Sequence, residues 1–122
     1  MMMFEINNEE HEIKLTLESI KYLNSRNSGG AFEFIQKAIS GDLDTYVDIV
    51  FAGLFHTEKG FKKKDVEAAI DEGIANEKID LSEINSTCYG VVSESFFYKK
   101  TVNKMFESDP EAKKELEKLM MG

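Results

Sequence analysis

Two histidines, one cysteine and 23 carboxylates are the side chains of this 122-residue chain that could do chemistry, so their spacing decides whether any of them forms a site. His11 falls in the polar stretch Asn7-Asn8-Glu9-Glu10-His11, which reads as a solvated turn. His56 closes an apolar helical segment, where a positive charge is favoured by the helix dipole. Neither has a cysteine or histidine at zinc-ligand spacing. Cys88 lies on an apolar helical stripe, which predicts a small core residue and not a nucleophile. Asp42, Asp44 and Asp48 only loosely follow an oxygen-ligand spacing, and the glycine and terminal glutamate of a calcium loop are missing. They read as a solvated helix face. Gly29-Gly30 lacks the following lysine and Ser/Thr of a phosphate loop, and Lys62-Lys63-Lys64 reads as a solvated basic run ahead of a helix. Carboxylate pairs are numerous, but each local cluster sits on a charged helix face or in a loop. The expectation is a chain that is not an enzyme, with no catalytic residue, no metal site and no cofactor.

The charge balance narrows the partners. Fifteen Lys and Arg against 23 Asp and Glu give a formal net charge of -8. Nucleic acid and anionic lipid both need a basic patch, so neither is expected as a partner. No apolar stretch approaches the roughly 20 residues of a membrane span. No charged-then-apolar leader opens the chain, and the lone cysteine suits a reducing compartment, so a cytoplasmic location is expected.

The elements that must position any binding surface follow from periodicity. Residues 3–16 alternate around the Asn-rich stretch and predict a β-hairpin, which needs a helical support to be stable. Residues 17–106 read as the helical core. Leu17, Ile20 and Leu23 mark a first helix, and Phe32, Ile35 and Ile39 a second. Asp42 is placed to cap a third helix over about 43–56, which carries Leu43, Val47, Val50 and Leu54 on one stripe and Tyr46, Ile49, Phe51 and Phe55 around it; such a helix belongs in the centre. Val66, Ala69, Ile70 and Ile74 mark a fourth. Asp80 caps a fifth, with Leu81, Ile84, Cys88 and Val91 or Val92 on its stripe, running to about 98 or 106 with Gly90 as the place for a kink. Ser108-Asp109-Pro110-Glu111 predicts the start of a last helix over 109–121. The fold class is mainly α with a small N-terminal β-hairpin (α+β), a single domain over 1–122 built as a bundle of five to six helices.

Two apolar features exceed what a core needs. Phe96, Phe97 and Tyr98 are consecutive, and on a helix they point about 100° apart, so all three cannot face one core. Leu116, Leu119, Met120 and Met121 end the chain on a flexible Leu-Met stretch of the kind used at adaptable binding surfaces. These seven are the candidate partner-binding residues, and they serve self-association equally well.

Several stretches in order also carry a family resemblance. They are Phe4-Glu5-Ile6 with Lys14-Leu15-Thr16-Leu17, then Ile20-Lys21-Tyr22-Leu23-Asn24, Gly41-Asp42-Leu43 running into Val50-Phe51-Ala52-Gly53-Leu54, and Lys64-Asp65-Val66-Glu67 before Asp71-Glu72. Together, up to about residue 75, the chain resembles the tail assembly chaperones of long-tailed phages infecting Gram-positive bacteria. The resemblance implies a small acidic protein in the host cytoplasm that binds the tape-measure protein before the tail tube polymerises around it, and that self-associates. A protein-binding adaptor of prophage or host origin and a minor structural virion protein are the alternatives.

Overall fold

Asn7 and Asn8 both take left-handed backbone conformations, with φ of 56° and 63° in the computed structural model, which describes residues 2–95, 97–111, 113, 114 and 118. Two consecutive left-handed residues make the tight turn whose twist matches a hairpin, and asparagine tolerates that conformation best after glycine. The turn joins strand β1 (Met2–Ile6) to strand β2 (Glu9–Ile13), antiparallel, with Ile6 opposite Glu9 and Met2 opposite Ile13. The sequence reading set a five-residue turn and a second strand running on to Thr16. The two asparagines close the turn by themselves, so Glu9, Glu10 and His11 are drawn into the ladder and the strand ends at Ile13.

Helix α1 (Leu17–Ser25) begins where Thr16 caps it: the Ser19 amide donates to the Thr16 hydroxyl and the Thr16 amide to the Ser19 hydroxyl. Helix α2 (Gly30–Ser40) stops at Gly41, which is left-handed at φ 76°. Asp42 then caps α3 (Leu43–Gly53), its carboxylate accepting from the Thr45 amide at 3.0 Å. A short 3-10 turn (Phe55–Thr57) leads to α4 (Lys63–Ala75), whose Asp65 carboxylate accepts from the Lys62 amide at 2.9 Å. Asp80 caps α5 (Leu81–Glu94), accepting from Glu83 at 2.8 Å, and α6 (Lys99–Ser108) follows. The caps expected at Asp42 and Asp80 are both formed.

The core is built on α3. Tyr46, Ile49, Val50 and Ala52 are buried in it, with α1, α2, α4, α5 and β2 packed around. The hairpin seats its inner residues Phe4, Ile6 and Ile13 against the helices, and the Lys14 amide donates to the Gly53 carbonyl at 3.0 Å. Ser19, buried on α1, donates to the Ala52 carbonyl at 2.7 Å. These two bonds satisfy carbonyls near the C-terminal end of α3 that have no partner within the helix.

Several stripes differ from the sequence reading by one position. On α2 the buried face is Phe34, Ile35 and Ala38, and Phe32 is 55% exposed. On α3 Leu43 is 51% exposed and Val47 half-buried, and on α1 Leu17 is exposed. Each of these helices carries more apolar residues than one face can hold, and a step of one residue rotates the face by about 100°. Periodicity then marks the helix but not which stripe is covered.

The fifth helix does not kink at Gly90. Gly90 is helical, and a Cβ there would meet Met2 Sδ at 2.7 Å, so its bareness admits β1. The helix ends at Ser95 instead, in extended conformation (φ -75°, ψ 126°). Ser108 is not a cap for a following helix. It closes α6, its hydroxyl donating to the Met105 carbonyl at 2.9 Å. Beyond Asp109, the described residues Pro110, Glu111, Lys113, Lys114 and Lys118 are helical and exposed.

The seat of the hairpin gives a test. A Cβ on Gly53 would run into Ile13 Cγ2 and approach the Ile13 Cα at 3.4 Å. Ile13 is buried and β-branched, so its side chain has little room to turn aside. Gly53→Ala is expected to destabilise the fold by about 1–3 kcal/mol despite its better helix propensity. Urea denaturation would show this as a lower midpoint at unchanged slope.

Candidate partner-binding surface

The joint between α5 and α6 sorts the aromatic run. At Ser95 the chain turns extended, and the Ser95 carbonyl accepts from Tyr98 at 3.2 Å and from Lys99 at 2.8 Å, starting the next helix. The turn drives Tyr98 inward. It is 1% exposed, with its ring 5.0 Å from that of Phe34. Phe97 points the other way, 55% exposed, its ring edge-on to Tyr98 at 5.0 Å. Phe96 lies outside the described residues, as do Leu116, Leu119, Met120 and Met121. Of the seven candidates, then, Phe97 is the one placed on the surface and Tyr98 is a core residue. Val102 and Phe106 bury the inner face of α6, with the Phe106 ring 5.8 Å from Tyr89.

Burial leaves polar atoms behind at this joint. Among the described residues the Tyr98 hydroxyl has no hydrogen-bond partner, and burial pushes its pKa up to about 12. Both amide atoms of Asn85, on α5 beside Gly41, also lack a partner among the described residues. Phe32, Leu43, Leu81, Ile74, Met3 and Leu17 join Phe97 as large apolar side chains open to solvent.

The polar residues that looked like chemistry mostly hold the fold together. Asp48 is not on a solvated face. Its side chain is 9% exposed and accepts from Tyr22 Oη at 3.3 Å, Arg26 Nε at 3.2 Å and Lys63 Nζ at 3.0 Å. The carboxylate holds the Lys63 ammonium above its usual range. One carboxylate thus ties α1 and α4 to α3, and it removes Lys63 from the solvated basic run that the triple lysine suggested. His11 is not a solvated turn residue either. It sits on the inner side of β2, opposite Phe4, with its ring edge-on to Phe61 at 5.4 Å. His56 pairs its Nε2 with the Glu12 carbonyl at 2.6 Å, which fastens the 3-10 turn to the hairpin. Periodicity could not reveal the Asp48 cluster, because its partners come from two other helices, α1 with its C-cap Arg26 and α4. The one signal present is that Asp48 lies on a helix apolar nearly all round.

No group of three or more His, Cys, Asp and Glu among the described residues is arranged to hold a metal ion, and no described helix is long and apolar enough to cross a membrane. Cys88 is fully buried, and burial pushes its thiol up to about 12.

Two outcomes are expected. Asp48→Ala removes the acceptor shared by Tyr22, Arg26 and Lys63 and costs about 2 kcal/mol in denaturant unfolding, since the buried face keeps part of the uncompensated charge. Cys88 stays unmodified by a thiol reagent at pH 8 in the folded chain and reacts fully in urea, because a raised pKa and lack of access both withhold the thiolate.

The model of the family described as phage tail assembly chaperone protein, TAC, matches residues 3–107. No curated protein and no solved structure gives a match. The chain belongs to the phage tail assembly chaperone family, which is non-enzymatic.

Proposed function

We propose that this tail assembly chaperone binds the tape-measure protein of its phage in the host bacterial cytoplasm and keeps it soluble until the tail tube polymerises around it. The family match over residues 3–107 carries the reading. The physical features are compatible with it. A long helical client exposes apolar stripes until its tube forms, and a chaperone covers such stripes with apolar contacts of its own. Phe97 is the placed candidate for that contact, and the sequence adds Phe96 and the stretch Leu116, Leu119, Met120 and Met121. The net charge of -8 keeps a complex of exposed apolar surfaces dispersed. The same apolar residues suit association between copies of the chain.

Co-expression with the tape-measure protein tests the reading. The client is expected in the soluble fraction with the chaperone and in the pellet without it. Equal insolubility in both cases refutes the proposal. Phe97→Ala, which removes an exposed ring and no core contact beyond Tyr98, is expected to weaken client binding by about tenfold, or about 1.4 kcal/mol. Truncation after Glu115 tests the Leu-Met stretch in the same assay.

A further inference from the structure

A cleft of 580 Å³ runs between β1, α4 and α5, away from the Phe97 joint. Its walls have three properties that do not depend on one another. The first is a free strand edge. Ile6 pairs with Glu9 across a two-residue turn, so Ile6, Phe4 and Met2 exchange hydrogen bonds with β2, while the peptide groups of Met3 and Glu5 point away from it. Outside the ladder no backbone hydrogen bond reaches them among the described residues, and both residues line the cleft.

The second is charge. Glu5, Glu10, Asp65, Glu72 and Glu83 line the cleft against one cation, Lys78, which lies 4.0 Å from Glu5. Glu10, Glu72 and Glu83 make no ion pair with any described residue. The third is a pair of hydroxyls that open into the cleft from otherwise buried residues. Tyr46 and Thr87 line it while only 2% and 3% exposed as residues, and neither hydroxyl has a hydrogen-bond partner among the described residues. Their hydrogen-bonding capacity is therefore turned to whatever occupies the cleft.

We propose that this cleft is a docking site for a short extended, basic segment of a partner protein, laid along the free edge of β1. Strand addition supplies main-chain hydrogen bonds at Met3 and Glu5. Lysine or arginine side chains at alternate positions reach the carboxylates of Glu10, Glu72 and Glu83, and the hydroxyls of Tyr46 and Thr87 meet polar groups at the cleft floor. The inference stands on the cleft alone and goes beyond the client reading, which concerns the apolar surface at Phe97. Failure of the co-expression experiment leaves it intact, and its own failure leaves the client reading intact.

The test uses the full chain and a ten-residue peptide of alternating lysine and valine, with alternating glutamate and valine as the comparison. The lysine peptide is expected to bind and to shift the backbone amide resonances of Met3, Glu5, Tyr46 and Thr87, and the glutamate peptide to do neither. Glu10→Lys with Glu72→Lys is expected to weaken binding at least about tenfold, whereas Glu67→Lys with Glu107→Lys, equal in charge but outside the cleft, changes it less than about threefold. Tyr46→Phe, which removes only the hydroxyl, is expected to weaken binding a few-fold at an unchanged thermal midpoint. Equal weakening by the two charge-reversed pairs, amide shifts confined to α2 and α6, or no binding of the lysine peptide overturns the proposal.

Discussion

Helix α3 is apolar on nearly its whole circumference, and the hydrophobic effect requires that surface to be covered on every side. The other elements are arranged by that demand. The hairpin closes over the C-terminal end at Gly53, α1 and α4 flank the helix, and α2 and α5 cover the rest. Covering the helix also strands polar groups, and three of them are met from outside: the Gly53 carbonyl by Lys14, the Ala52 carbonyl by Ser19, the Asp48 carboxylate by Tyr22, Arg26 and Lys63. The polar contacts do not drive the packing. They make it unique, because each can form only when the covering element sits in one place.

Much of this was legible in the sequence for a physical reason. Capping residues act locally, so Asp42 and Asp80 announce their helices without reference to the rest of the chain. The hairpin and the central position of α3 follow from period and composition. What was not legible depends on partners distant along the chain. The covered faces of α2 and α3 are selected by neighbours, not by the helices themselves. Gly90 is shaped by Met2, and Asp48 by residues 22, 26 and 63. The aromatic run was legible in one sense, since three successive rings cannot all be buried. Which ring stays out was settled by the extended backbone at Ser95, where no glycine or proline marks a break.

The acidic composition serves two ends. Where carboxylates are drawn into the fold they act as fasteners, at Asp48, at helix starts, and in Glu9 with Lys59 at 3.0 Å. Where they stay on the surface they set the net charge that disperses the chain and any apolar cargo. Electrostatics at the surface is screened by salt, so the second role and the exposed Glu9–Lys59 pair weaken as ionic strength rises, while the buried Asp48 carboxylate is screened much less.

The orphaned hydroxyl of Tyr98 has a consequence for how the molecule opens. Helix α6 is held by Tyr98, Val102 and Phe106, and one of those three anchors carries a buried polar atom with no partner among the described residues. Lifting α6 away exposes apolar surface but rehydrates that phenol, which returns part of the cost. The opposite end of the fold, where hairpin and α3 are cross-bonded, has no such refund. Opening is therefore graded along the chain: α6 forms the weakest cooperative unit, and amide exchange spreads inward from it toward α3.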